Sequence, residues 1–524
     1  MDARKAFDTV WITGLLYKLY KAGLNPATWK LIKDSYDGFQ CAVLLNGFTG
    51  EWFIIERGVH QGAPFSMWLY MIFLNSLVVE LQQSGFGASI YDIAVASPCH
   101  ADDVFLIALY KLALIRLLSI CVAYSRRWRY DYNMDKTVIL VWGKDSHPSV
   151  DIYMGNELLS IKYVCEHVGV SLCTDTQNSK IALDSKINAA RGALLAARGM
   201  GSHQVPVTPK ALSKVYWSVS VPKLTYGLDV LPLSDVEINN IEHAHRQNAK
   251  IVQNVSSNVS TPAPLATIGW LSMSAYISMI KIMFIFRTLC CLPTNSVYRQ
   301  VMVLRLNDCL NGVEFKIPTP ISNMFYHAMK YGLLDDIRKC MNDNNCLNIE
   351  YWKSHVKKII WNVEYDRWRF TCSMHDKLVM YRECVVKIEM HPWWSLLRIR
   401  PYLNKAVSSV MSVLLGSQPK GMGANFDFTL CRLCCSRSPD TCYHILLYCE
   451  SLIEIRTKWF RIIREQMPVA MKYDFDSITC ERKLTFLLSG LFVNCQTDWP
   501  DLYEAIALFV CEMYTHRKEL YDNI

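Results

Sequence analysis

Two groups of residues in this sequence have types and spacings that chemistry requires. Asp102 and Asp103 are adjacent, between apolar runs at Ile90–Ser97 and Val104–Ala108 that read as strands. Neighbouring carboxylates at a tight strand-to-strand turn repel one another unless a cation offsets them. A pair of divalent ions does so, and a two-metal clamp is a common device for in-line phosphoryl transfer. Taken alone, an Asp-Asp turn reads as an ordinary solvated one. The second group is Cys431-x2-Cys434-x9-His444-x4-Cys449, which has the ligand types and end spacings of a structural zinc site. So short a stretch holds too little apolar content for a core, so metal would supply the folding energy. Cys435 and Cys442 are spare thiols there, which leaves open which four bind. The alternative is a chance cluster in a Cys-rich chain.

The elements that must position the aspartates are read from periodicity. Ile12, Leu15, Leu16 and Leu19 recur at helical spacing, Gly23 stops that helix, and Asn25-Pro26 caps and opens the next. Cys41–Leu45 and Trp52–Ile55 flank Asn46-Gly47 as a hairpin, its loop two residues or longer. Gly58-Val59-His60-Gln61-Gly62-Ala63-Pro64 is a loop opening an apolar helix that runs to about Gln83. A helix at about Lys111–Arg127 and a strand at Thr137–Trp142 follow the Asp-Asp turn. The opening stretch is therefore α+β. From Lys186 onward the pattern is mainly helical, with breaks at Ser256–Pro264, Pro318–Pro320 and Gly416–Gly423.

Taken in order, these motifs resemble the reverse transcriptases of non-LTR (LINE-type) retrotransposons. Asp2-Ala3-Arg4-Lys5-Ala6-Phe7-Asp8 is similar to that family's first motif, Asp-x-x-Lys-Ala-Phe-Asp. Gly58 to Gly62 is similar to its Gly-Val-x-Gln-Gly loop, Ala101-Asp102-Asp103 to its Ala-Asp-Asp hairpin, and Asn133, Lys136 and Thr137 to its Asn-x-x-Lys-Thr/Ser motif. Val168-Gly169 loosely resembles a fifth motif, a Leu-Gly turn. The resemblance implies that Asp2 and Asp102 hold two Mg²⁺ ions with Asp103 beside them, all three catalytic. It implies that Phe7 packs under the nucleotide sugar and rejects a 2′-hydroxyl. Gln61 and Gly62 would touch the incoming nucleotide or template, and Lys136 would protonate or steady the leaving pyrophosphate. The Cys431, Cys434, His444, Cys449 stretch also resembles the zinc-binding module that follows such polymerases, implying structural Zn²⁺.

Two positions depart from the family. His100 stands where Tyr or Phe usually precedes Ala-Asp-Asp, and Asp2 is the second residue. The strand that should end at Asp2, the upstream fingers and any endonuclease are expected to be missing. An N-terminally truncated chain would leave Asp2 on a fraying end.

The resemblance implies an α+β fold with a right-hand polymerase palm, an antiparallel sheet with helices, over 1–172. A helical thumb over 173–300, a helical region of unknown role over 301–420, a zinc module over 421–455 and a helical tail over 456–524 would follow. Lys180, Lys186, Arg191 and Arg198, and the stretch of His243, His245, Arg246 and Lys250, are spaced to track phosphates or to form ordinary solvated faces. Trp393-Trp394 reads as core rather than a base-stacking platform.

Composition agrees with a folded chain of several domains. The 524 residues are 51% hydrophobic and 12% aromatic, which excludes a disordered protein. With 55 Lys+Arg against 47 Asp+Glu, the charge of +8 permits nucleic-acid binding without demanding it. Met67–Leu81, Val104–Val122 and Tyr276–Leu292 are apolar, but the first is short and the others carry Lys111, Arg116, Lys281 and Arg287. Each such charge at mid-membrane would cost at least ~2.5 kcal/mol, so all three read as buried elements, with no membrane partner. The N-terminus has no secretory signal pattern, so the 20 Cys read as thiols or metal ligands in an intracellular protein of the cytoplasm or nucleus.

The function expected is RNA-directed DNA synthesis from an RNA template, a DNA primer and dNTPs, with oligomeric state open. The alternative is a catalytically inactive, truncated nucleic-acid-binding remnant. A maturase-like or telomerase-like polymerase fits Lys5-Ala6-Phe7-Asp8 and the zinc spacing less well.

Overall fold

The computed structural model describes residues 1–143, 151–201, 207–315, 317–342, 348–417, 430–434, 438–439, 441–489 and 499–522, without the side chains of Ala470 and Glu481. Most of the 416–423 break, the spare thiol Cys435 and residues 490–498 of the expected helical tail lie outside these residues. The chain divides into two compact units. One comprises Met1–Ala182 with Pro293–Val301, the other Leu183–Leu292 with Met302–Ile524.

The first unit is α+β. Helices α1 (Ile12–Lys21) and α2 (Pro26–Tyr36) form where the apolar spacing placed them. Asn25 caps α2, its side chain accepting from the Ala27 N–H at 2.9 Å. Strands β1 (Gln40–Cys41) and β4 (Phe53–Ile54) pair, as do β2 (Leu44–Leu45) and β3 (Phe48–Thr49). The β2–β3 turn is the two-residue kind, with Asn46 and Gly47 at φ of 51° and 84°. This hairpin turns its apolar residues outward: Val43, Leu44, Leu45, Trp52, Phe53 and Ile54 are exposed, and Phe48 is 81% exposed.

Helix α3 (Ser66–Gln83) buries Leu69, Tyr70, Phe73, Leu74, Leu77 and Leu81 at intervals of three or four, a single stripe. Strands β5 (Ser89–Ile90), β6 (Ile93–Ala94), β7 (Cys99–His100) and β8 (Asp103–Val104) make two hairpins. After them α4 (Lys111–Trp128) buries Leu117, Leu118, Cys121 and Tyr124 against the same core. Then come β9 (Val138–Leu140), β10 (Tyr153–Met154), β11 (Glu157–Leu158), β12 (Ser160–Lys162), β13 (Val164–His167) and β14 (Val170–Cys173). The expected antiparallel sheet is broken up among the described residues. The strands β1 to β14 pair with one another only in twos, and β9 with β12 is parallel. The reason is local: most of these strands are two residues long, and left-handed turn residues such as Tyr91, Ala101 and Val168 end them.

The second unit is helical. Its central helix, Met273–Cys291, packs against helices Asp235–Gln253, Pro320–Lys330, Leu334–Asn342 and Ile349–Ser373. Among the described helices this one is long and apolar enough to cross a membrane, yet its Lys281 and Phe286 are fully buried within the unit. Lys281 donates to the Leu231 carbonyl at 2.5 Å. Trp393 and Trp394 are core residues, as expected. Cys340 is disulfide-bonded, an exception to the expectation of thiols.

Lys18 of α1 is buried in the first unit. It donates to the Phe73 carbonyl and the Tyr124 hydroxyl, with its ammonium 3.6 Å from the centre of the Trp128 ring. Burial pushes this ammonium down to about 7 from 10.5, so between those pH values the unfolded chain holds a proton that the folded chain does not. The stability this group contributes therefore rises with pH through that window. Relative to the unmutated protein, Lys18→Met is expected to have its highest Tm at pH 7, with the advantage falling as pH is raised to 10, measured by calorimetry at a series of pH values.

Candidate polymerase site and zinc-binding cluster

Asp2 does not fray. Met1 and Val104 of β8 exchange backbone hydrogen bonds, Met1 N to Val104 O at 2.8 Å and the reverse at 3.1 Å. On the other side, Asn133 N donates to Asp2 O at 2.8 Å and Arg4 N to Asp131 O at 2.9 Å. Residues 1–4 thus run as a strand between β8 and 131–133, with Ala3 opposite Tyr132. The expectation of a loose end fails because the terminus is the middle strand of three.

On β7–β8, His100 pairs with Asp103, and Ala101-Asp102 form the turn, Ala101 at φ 52°. Half-buried Asp102 has its carboxyl pushed up, first by burial and then by Asp103 and Asp2, while Lys136 and its own backbone N–H pull it down. The Lys136 ammonium is 3.6 Å from Asp2 Oδ2; the lysine side chain is 69% exposed and the aspartate 21%. Asp2, Asp102, Asp103 and Lys136 are therefore one electrostatic group. His100 is exposed.

Phe7 is half-buried and stacks on Tyr70 of α3, ring centres 5.2 Å apart. Burial, and then the charges of Asp102 and Asp2, push the Tyr70 phenol up. The glycine loop is fastened to the first motif. Gly58 N donates to Val10 O at 2.9 Å and Val59 N to Phe7 O at 2.8 Å. Gly58 has φ 102°, and a Cβ there would stand 3.0 Å from the Asp8 carbonyl oxygen. Beyond it, Gln61 Nε2 donates to Asp8 Oδ1 at 2.6 Å, and Gly62 has φ 87°.

Three residues were not singled out in the sequence: Tyr70, Asp8 as a partner of Gln61, and His167. His167 of β13 has its Nδ1 3.8 Å from Asp103 Oδ2 and packs at a tilt against Phe105, ring centres 5.1 Å apart and planes at 55°. The one signal for it was its place just before the Val168-Gly169 turn, where both residues have positive φ.

In the second unit, Cys431, Cys434, His444 and Cys449 bring their ligand atoms within 4.8 Å of one another. Cys431 and Cys449 sulfurs are 3.9 Å apart, and Cys434 Sγ is 3.4 Å from His444 Nε2. Tetrahedral zinc with Zn–S bonds of ~2.3 Å sets its sulfurs roughly 3.8 Å apart, so this donor set fits that ion. Burial, with Cys431 adding, pushes the Cys449 thiol up to about 12. Buried Arg456 braces the turn by donating to the carbonyls of Leu446 at 3.0 Å and Cys449 at 2.7 Å. Spare Cys442 is outside the group and lies near Cys384 instead. Among the described residues this is the one Cys/His/Asp/Glu group whose ligand atoms already converge.

Residues 1–170 match the family described as reverse transcriptase (RNA-dependent DNA polymerase). They form a reverse transcriptase domain. Over 245 residues the chain is 26% identical to the RNA-directed DNA polymerase from mobile element jockey of Drosophila funebris, covering 44% of this chain and 25% of that protein. Over 137 residues it is 30% identical to the Retrovirus-related Pol polyprotein from type-1 retrotransposable element R2 of Popillia japonica, 26% of this chain and 23% of that protein. A 110-residue match, 30% identical, is to the transposon TX1 uncharacterized 149 kDa protein of Xenopus laevis, 21% of this chain and 8% of that protein. The chain is thus similar in part to proteins of the mobile elements jockey and R2, and it spans about a quarter of those proteins' length.

The basic residues after the reverse transcriptase domain divide. On helix α5 (Thr176–Gly199), Lys180 and Arg191 are exposed, while Lys186 donates to Tyr226 O at 2.7 Å and Arg198 to Asn254 Oδ1 at 2.6 Å. The stretch at 243–250 is structural rather than a phosphate track. His245 is fully buried, bonded to the Tyr216 hydroxyl at 2.8 Å and Leu271 O at 3.0 Å. Lys250 is buried on backbone carbonyls and Arg246 is paired with Glu242 at 2.8 Å, which leaves His243 as the exposed member.

Gly58→Ala is expected to destabilise the reverse transcriptase domain by ~1–3 kcal/mol, since it needs both a left-handed φ and a displaced Asp8 backbone. Chemical denaturation of the two proteins side by side measures it, and an unchanged midpoint would contradict the close approach.

Proposed function

We propose that this chain is an RNA-directed DNA polymerase of a non-LTR retrotransposon, extending a DNA primer on an RNA template with dNTPs by two-metal nucleotidyl transfer. The observation that carries this reading is the gathering of Asp2, on a strand held from both sides, with Asp102, Asp103 and Lys136, within a domain matched to reverse transcriptases. Relatives named as RNA-directed DNA polymerases support it. Reverse transcriptases work with divalent ions, and hard carboxylate oxygens suit Mg²⁺.

In this reading Asp2 and Asp102 hold two Mg²⁺ ions, which when bound activate the primer 3′-hydroxyl and neutralise triphosphate charge. Asp103 adds negative potential beside them. Phe7, backed by the Tyr70 ring, forms a flat wall that excludes a 2′-hydroxyl by contact. Gln61 and Gly62 line the nucleotide's other side, where a bare glycine backbone permits close approach. Lys136, mobile at its exposed end, steadies or protonates the departing pyrophosphate. The region after the domain serves as a helical thumb, with Lys180 and Arg191 on phosphates. Cys431, Cys434, His444 and Cys449 hold a structural Zn²⁺, and the protein works inside the cell, in the cytoplasm or nucleus.

Primer extension on an RNA template tests the catalytic part. The unmutated chain is expected to add dNTPs in Mg²⁺, and Asp102→Asn to lose at least roughly a thousandfold in rate. Failure of the folded, zinc-loaded chain to extend would favour the inactive nucleic-acid-binding remnant. Atomic emission tests the metal. About one zinc per chain is expected, retained in Cys442→Ser and lost with a lowered Tm in Cys449→Ser. Zinc lost equally from both variants would overturn the ligand set.

A further inference from the structure

Asp8 has no part in the chemistry above, yet its carboxylate accepts a hydrogen bond from Gln61 of the glycine loop. We infer that Asp8 is a positioning residue that decides which end of the Gln61 amide faces the nucleotide. The inference rests on the polymerase reading, in which Gln61 touches substrate.

The argument starts from backbone. Gly58 and Val59 are bonded to Val10 and Phe7, and the Gly58 α-carbon lies so close to Asp8 that a Cβ would come within 3.0 Å of its carbonyl oxygen and 3.1 Å of its Cα. On the other chain, Lys5 at φ 50° and the bonds from Asp8 N and Thr9 N to Lys5 O fold residues 5–9 into a tight turn. Asp8 and Gln61 are thereby held at a fixed separation before their side chains meet.

The side chains then have a definite polarity. An ionised carboxylate only accepts, so the Gln61 atom 2.6 Å from Asp8 Oδ1 is the amide nitrogen. Because the amide is planar, its carbonyl oxygen is turned away from Asp8. Among the described residues Asp8 has no ion-pair partner, so Gln61 is the group that its charge orients. Gln61 consequently offers the nucleotide an acceptor oxygen that matches a hydroxyl or amino donor. A glutamine without Asp8 can turn either end outward, and half its orientations put N–H against such a donor. Asp8 therefore acts on nucleotide affinity through preorganisation, without touching substrate.

The test is a double-mutant cycle read as a KM-against-kcat split in primer extension with dNTPs on an RNA template. Asp8→Asn and Asp8→Ala are each expected to raise the dNTP KM roughly five- to tenfold with kcat within about twofold, as Gln61→Ala does. The Asp8→Ala, Gln61→Ala double variant is expected to match Gln61→Ala alone, because Asp8 acts only through Gln61. Additive losses, or a fall in kcat at constant KM, would overturn the proposal. If the unmutated chain extends no primer, the polymerase reading fails on its own account, and the pairing is still read from hydrogen exchange in the free protein. There, Asp8→Ala and Gln61→Ala should speed exchange at residues 58–62 to the same degree. Unchanged exchange in Asp8→Ala would overturn the positioning role.

Discussion

Four backbone hydrogen bonds hold residues 1–4 between β8 and residues 131–133, and the carboxylate group depends on them. They bring Asp2 beside a turn a hundred residues away in the chain and beside a lysine whose own turn is built on Asn133. Each bond contributes only about 1 kcal/mol net, but they are made between segments already anchored by buried Ala3, Val104 and Tyr132. The core beneath decides the geometry above it. Phe7, Ala6 and Val10 follow the same strand into that core, so the ring that stacks on Tyr70 and the aspartate that meets Lys136 move as one piece.

The two metal-suited groups are built on opposite principles. The thiol and imidazole cluster is local: two short turns, one braced by Arg456, bring four ligands together within nineteen residues of sequence. Neutral thiols can crowd without a cation present. The aspartates belong to distant segments, and as anions they raise one another's cost of ionisation, which adds to burial in pushing Asp102 up. A cation there relieves repulsion that the fold has already imposed, whereas in the cysteine cluster it displaces protons from buried sulfur.

What the sequence made legible was local. The spacing of Leu15 and Leu19, the Asn25-Pro26 cap, the Asn46-Gly47 turn and the cysteine spacing each report on a few adjacent residues, and each is found in the fold. Motif order carried the aspartates and Lys136 together because a family's spacing encodes contacts that one chain alone does not display. The contacts that were missed join segments far apart: Tyr70 to Phe7, His167 to Asp103, Gln61 to Asp8. The position of Asp2 misled because nearness to a terminus says nothing about which strands flank it. The basic stretch at 243–250 misled for a different reason. Ile238, Ile241, His245, Ala249 and Val252 form one helical stripe facing the core, and that period places His245 inside whatever its charge suggests.

The β2–β3 hairpin carries its apolar side chains into water on a short, twisted ribbon. Isolated two-stranded ribbons are barely stable, and unpaired edges bearing Leu, Phe and Trp are sticky. For this polypeptide in dilute buffer, that sets colloidal behaviour more than net charge does. A surplus of eight positive charges spread over 524 residues offers little repulsion at such a ribbon, and added salt screens even that. Mild detergent or low protein concentration is therefore expected to keep this fifteen-residue ribbon from adhering better than an adjustment of pH does.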